Sequence, residues 1–305
     1  MEDIAAGIAY RGWVAESHHR ARVVVTAPNG LVRLALGSPE APTLPRSALK
    51  PFQVIALLES GLDLEDELLA LAGASHWGEP IHIDGTHRIL AGVGLDDGAL
   101  VNTADFPLSE DARIEWIRAG KSKEPLAHNC SGKHAAMLRT CVRAGWPLAD
   151  YRDPGHPLQR AIRRVIDDYC GVEGEPVVDG CTAPAFATRL TGLARGFGQL
   201  AAAGGTAGRV ADAFRRHPEY MSGTQDPTVL LVRSVPGLVA KVGAEGILAA
   251  GLPDGTGIAV KMSDGMGRGR FDVLVTVLAE LGHEVPGFAP EVVIAPELRQ
   301  ALAAL

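Results

Sequence analysis

The chain has 305 residues, 47% of them hydrophobic, and carries a net charge of -7 from 29 basic and 36 acidic side chains. That length can bury a substantial core, as one large domain or two closely packed ones. With no long like-charge block, the balance argues against nucleic acid and anionic membrane surfaces as partners and leaves small molecules.

The N-terminus, MEDIAAGIAYRG, lacks the basic start and apolar core of a secretion signal, and no apolar run approaches the roughly 18 residues of a membrane span. A cytoplasmic location is therefore expected. RARVVVTAPNGLVRLALG reads as two short strands about Pro28-Asn29-Gly30, where Asn-Gly supplies the positive φ of a tight hairpin. His18 and His19, just before it, are expected to be solvated.

PRSALKPFQ follows. A proline is tolerated in a helix only in the first turn, so Pro51 pins a helix start close to Ser47 and places Lys50 about one turn later on the same side. A serine hydroxyl needs a base to become a nucleophile, and a lysine with a lowered pKa can serve, as in S-x-x-K acyl-transfer enzymes. An N-cap serine followed by a surface lysine explains the same letters.

The middle of the chain reads as helices over Phe52 to Ser60, Leu64 to Ala72, Glu110 to Ala119, Lys133 to Arg143, Pro157 to Tyr169 and Thr188 to Ala203. ASHWGEP, between the second and third, places Ser75, His76 and Glu79 in a loop. HNCSGKHAAML runs straight into a helix, with His134 at its N-terminus, where a carboxylate could dock. VVDGCTAPAF is an apolar strand opening onto Asp179, Gly180 and Cys181 at a turn.

Four cysteines form no C-x-x-C pair and are too few for a disulfide scaffold. Cys130 and Cys181 occupy polar turns and could ligate zinc if they meet, although two thiolates are too few alone; a pair of free thiols is the alternative. Cys141 falls on an apolar helical stripe and reads as core, and Cys170 ends a helix without polar company.

AAAGGTAGRV reads as a surface loop and Gly243 to Gly246 as a turn. In GIAVKMSDGMGRGRFDVLVTVLAEL, Ile258, Val260 and Met262 alternate with Ala259, Lys261 and Ser263, so Lys261 lies on the face opposite that apolar stripe. Strands at both ends around a helical interior suggest an α+β fold with one antiparallel sheet.

Taken together, RSALKPFQ, ASHWGEPIH, HNCSGKHAAML, DYRDPGHPLQR, VVDGCTAPAFA, AKVGAEG and GIAVKMSDG resemble the bacterial asparaginase II family of the rhizobial type, in collinear order over nearly the whole chain. This family is distinct from the threonine-dependent asparaginases. The resemblance implies one catalytic domain over residues 1–305 with a helical subregion at roughly 52–203, related in fold to serine β-lactamases and serine-dependent glutaminases. It also implies a homodimer that hydrolyses L-asparagine to L-aspartate and ammonia.

By position, Ser47 and Lys50 match one Ser-Lys pair, and Ser75 and Lys261 a second. Cys130, Lys133 and Cys181 match the ligands of one zinc per subunit, structural or substrate-orienting, with His134 and Asp179 close by. Glu79 and Asp264 are further supporting candidates. Trp77 and Thr182 depart from the family pattern, a small residue and Gly being expected there. An SxxK-type β-lactam, peptide or glutamine amide hydrolase is the competing enzyme reading, weakened by the absence of K-T-G; a zinc- or amino-acid-binding protein without catalysis is the non-enzyme one.

Overall fold

A computed structural model describes residues 2–305. It opens with β1 (Ile4–Arg11), β2 (Val14–Thr26) and β3 (Val32–Leu36). The β2–β3 turn is the expected one: Gly30 takes φ +80, and the Asn29 side chain accepts the Leu31 N–H at 3.1 Å. β1 is an addition to the sequence reading. It pairs with the first half of β2, an exposed ribbon of polar residues without the alternation that marks a half-buried strand. His18 is exposed as expected, but His19 is buried, between Ser17 and Asp264.

Helices α1 (Lys50–Glu59), α2 (Asp66–Ala72), α3 (Pro80–Ala91), α4 (Glu110–Arg118), α5 (Ser131–Ala144) and α6 (Pro157–Cys170) follow. A separate hairpin, β4 (Glu173–Val178) with β5 (Pro184–Ala187), precedes α7 (Leu190–Ala202). α8 (Gly205–Arg216) starts inside the stretch read as a loop. Its glycines obscured the buried stripe of Ala207, Val210, Ala211 and Phe214, whose burial holds the helix. α9 (Pro218–Met221) and α10 (Pro227–Ser234) lead to β6 (Val239–Val242), β7 (Ile247–Gly251) and β8 (Gly257–Met262). α11 (Arg270–Glu280), β9 (Val293–Ile294) and α12 (Pro296–Leu302) close the chain.

The sheet is antiparallel, in the order β6-β7-β8-β2-β1-β9, with β3 also on β2. Both ends of the chain build it, as expected for the α+β class. Strand alternation sorts its side chains onto two cores. Val24, Val239, Ile247, Ala249 and Ala259 face the helical middle, while Val23, Val25, Leu248, Ile258 and Val260 pack with residues of α10, α11 and α12. α7 lies flat on the first face; a Cβ at Gly257 would stand 1.8 Å from the Ala194 carbonyl oxygen, so glycine sets that close approach. None of the helices among the described residues is long and apolar enough to cross a membrane.

Candidate active site

Pro51 sits in the first turn of α1, preceded by a 3-10 turn over Arg46–Leu49 that carries Ser47. Lys50 is buried and points at three acceptors: the Ala74 carbonyl, Ser75 Oγ at 3.1 Å and Cys130 Sγ at 3.1 Å. The pairing expected from spacing differs in one respect. Lys50 bonds Ser75, while the half-buried Ser47 hydroxyl has no hydrogen-bond partner among the described residues. Arg46, just before Ser47, takes φ +54, a region that non-glycine residues rarely enter. Asp179 holds its guanidinium at 2.5 Å, so Asp179 supports the serine's position from a distance.

Ser75 lies in an extended segment laced on both sides. The Ser75 and Trp77 N–H groups donate to Met221 and Ser222, and the His76 N–H donates to Asn129. The His76 ring is sealed and its pKa is held well below the usual value, by burial first and then by His82 and Lys50. Because Nδ1 accepts from the Gly78 N–H at 3.1 Å, Nε2 carries the proton and donates to Ser131 Oγ at 2.8 Å. His76 thus fastens the Ser75 segment to the head of α5.

The Trp77 indole lies on Gly223 and lines a cavity of about 1060 Å³ with Trp116 and Thr224, whose walls do not include Ser75. Glu79 starts α3 and holds the Thr224 N–H and hydroxyl, with no bond to Ser75.

The second amine at Ser75 is Lys241, and the assignment of Lys261 is corrected. Lys241 Nζ stands 3.0 Å from Ser75 Oγ and also donates to the Val242 carbonyl. Burial, then the charge of Lys50, hold its pKa well below the usual lysine value. Lys261 does lie on the face opposite the apolar stripe, but it donates to the Met262 carbonyl at 2.7 Å and is only half-buried, amid Arg22, Glu245, Asp264 and Asp3. Asp264, paired with His19, belongs to that same end of the sheet and not to the Ser75 cluster. The signal for Lys241 was legible in AKVGAEG. Lys241-Val242-Gly243 is a Lys-x-Gly ending a short strand, the spacing of the K-T-G element that accompanies S-x-x-K.

Cys130, at the head of α5, and Cys181, in the β4–β5 turn, come together in a small buried cluster. Lys133 Nζ reaches Cys181 Sγ at 3.1 Å. The thiols are coupled: a hydrogen bond from Cys181, then the charges of Lys50 and Lys133, hold Cys130 well below the usual thiol range, and the same bond raises Cys181. Burial works against the Lys133 charge, but the two sulfurs outweigh it and raise its pKa. His134 donates or accepts at Tyr151 Oη (2.7 Å), and burial lowers its pKa to about 4, while its Nε2 is buried with no hydrogen-bond partner.

No group of three His, Cys, Asp or Glu side chains is arranged to hold a metal among the described residues, so any ligand set here depends on the Lys133 amine. Two thiols and the Lys133 amine are donors that suit a soft ion such as zinc, with a fourth position left to another donor. Thr182, where glycine was expected, takes φ +72 and bonds Arg152, so the departure keeps the glycine-type backbone. Cys141 and Cys170 are buried in the core, and burial raises both thiols.

A helix-borne Ser-x-x-Lys, a second serine between two buried amines and a strand-borne Lys-x-Gly together make a serine–lysine site of the amide-hydrolysing kind. The family model of L-asparaginase II matches residues 8–296, and the chain belongs to that family. It is accordingly an enzyme of the asparaginase class, an amidohydrolase. Curated proteins yield no match.

Several solved structures are similar to it at low identity. A β-lactamase from Mycobacterium bovis matches with TM-score 0.46 and 17% identity, over 85% of this chain and 94% of that one. A Bacillus glutaminase matches with TM-score 0.42 and 13% identity, over 87% and 92%. Mglu in its tris and glutamate form matches with TM-score 0.42 and 15% identity, over 94% of this chain; the chain spans 65% of its length.

Proposed function

We propose that this protein hydrolyses L-asparagine to L-aspartate and ammonia through an acyl-enzyme on Ser47. The observation that carries the reading is Ser75 Oγ held between Lys50 Nζ at 3.1 Å and Lys241 Nζ at 3.0 Å, with Ser47 in the turn that leads into the helix of Lys50. Ser47 Oγ attacks the side-chain amide carbon, and its proton passes to the Lys50 amine. Ser75 gives its proton to the leaving nitrogen and is recharged from Lys50, so that the C–N bond breaks and ammonia departs. Water then attacks the ester, its proton passing through Ser75 to Lys241, whose lowered pKa suits it to accept; as the ester C–O bond breaks and aspartate leaves, that proton returns to the Ser47 oxygen and Lys241 is neutral again. Ser47 lies in the first turn of a helical element, where N–H groups without an internal partner can meet the oxyanion.

Cys130, Lys133 and Cys181 are the proposed zinc ligands, with His134 close by. Zinc bound there would supply positive charge to orient the substrate. The Lys133 ammonium and the Cys181 thiol must each lose a proton to ligate, so loading releases both. A homodimer in the cytoplasm belongs to the same proposal.

The Lys241-Val242-Gly243 spacing gives the β-lactam reading the element it lacked. Ammonia release from a panel of amides, zinc content of the same sample and nitrocefin turnover decide between them. Asparagine-selective release with bound zinc is expected. Nitrocefin turnover exceeding asparagine turnover would reverse the assignment.

A further inference from the structure

The end of β6 is gripped from two sides. A Cβ on Gly243 would stand 2.2 Å from the Pro45 carbonyl oxygen, so the strand end and the residue preceding Arg46-Ser47 are in backbone contact. Arg270, the first residue of α11, reaches the same glycine: its Nη1 donates to the Gly243 carbonyl at 3.3 Å. Arg270 Nε is sealed from solvent with no hydrogen-bond partner, and no carboxylate forms an ion pair with the guanidinium among the described residues. A largely buried guanidinium without an ion pair costs more than an apolar side chain filling the same volume. Its neighbours are the Phe271 ring, 5.2 Å away, and the carboxylates of Asp226 and Glu291, which favour the charge without bonding it.

We propose that Arg270 is a positioning residue for Lys241: its hydrogen bond fixes the Lys241-Val242-Gly243 strand end against the Ser47 element, and its charge disfavours a second cation at the end of that strand. This rests on the reading of Lys241 as a catalytic amine. The charged groups facing Lys241 are Lys50 on α1, Asp226 at the head of α10, Cys130 at the head of α5 and Arg270 on α11. Lys50 and Arg270 disfavour the ammonium; Asp226 and the Cys130 thiolate favour it. Lys50 trades protons during the reaction. Arg270 is the cation whose charge stays fixed throughout the cycle, so it keeps Lys241 ready to accept a proton.

The test uses the full chain with Arg270→Gln, Arg270→Met and Arg270→Lys. Two quantities are read: kcat/KM for asparagine against pH, and the titration of the Lys241 side chain by NMR, assigned by its loss in Lys241→Met. Loss of the charge must raise the Lys241 pKa. The acid limb of the rate profile then moves to higher pH. The NMR titration moves with it, and Arg270→Lys holds both near the wild-type position. Arg270→Met fills the same volume with an apolar side chain, which serves if Arg270→Gln does not fold. A limb and titration that stay in place while activity falls evenly at every pH would make Arg270 merely structural and overturn the proposal, as would a wild-type profile. Because the NMR titration needs no turnover, it decides the role of Arg270 even if asparagine proves the wrong substrate.

Discussion

Lys241 and Lys261 project from the same face of one sheet, on strands β6 and β8, separated by β7 and so by about 10 Å across the strands. Lys241 is opposite Ala249 and Lys261 opposite Ile247, so the register sets them two residues apart along the sheet as well. Their surroundings differ completely. Lys241 is fully buried under the helical middle, against Ser75 and close to the Lys50 amine. Lys261 sits nearer the sheet end, ringed by Glu245, Asp264 and Asp3 and bonded to its own neighbour's carbonyl. Facing the right way is therefore not enough; what packs over a strand position decides whether its lysine meets Ser75 or lies among the carboxylates at the sheet end.

The largest predicted effect breaks the pair apart. Lys241→Met should lower kcat/KM for asparagine by about 10²–10⁴-fold, the usual contribution of one proton-transfer group, while Lys261→Met should stay within a few-fold of wild type. Steady-state ammonia release on both variants checks this, and the reverse ranking would restore Lys261 to the site.

The resemblance and the sequence pattern located the Ser47/Lys50 helix start, the Ser75 loop and the two turn cysteines, because each lies in a local signal: a proline-bounded helix start, or a polar turn at an element end. Lys241 escaped. Its strand has four residues, too few to show a period, and Lys-Val-Gly looks like an ordinary strand end until Ser75 arrives from 166 residues away in sequence. Lys261, in a six-residue strand with clear alternation, drew the assignment instead. β1 escaped for a related reason, since its partner ribbon exposes both faces and leaves no apolar record. α8 was hidden by glycines that its buried stripe overrides.

The pH dependence sharpens the same comparison. A base must be neutral, so kcat/KM should fall as pH drops through the lowered Lys241 pKa. Lys261→Met should leave that limb in place, although Lys261 too is lowered, by burial and then Arg22. A limb that moves in Lys261→Met would show that the two lysines are coupled.

Smaller effects concern the cysteine end of the site. Stripping metal with a chelator, or Cys181→Ser, should lower the melting temperature, by an amount equivalent to about 2.7 kcal/mol if zinc is normally at 100 times its Kd. Calorimetry with zinc analysis reads it, and an unchanged Tm in a zinc-free sample would remove the metal from the account. Smallest of all, Thr182→Gly relieves a β-branched residue at φ +72 but gives up the bond from Arg152, so stability should change by less than about 1 kcal/mol.

The division of labour between the two serines is tested most directly by quenching the enzyme during asparagine turnover and mapping the acylated peptide by mass spectrometry. The β-aspartyl ester should be found on Ser47, and it should still form there, more slowly, in Ser75→Ala. An ester on Ser75 in the wild-type protein would contradict the account, making the hydroxyl between Lys50 and Lys241 the nucleophile and not the relay.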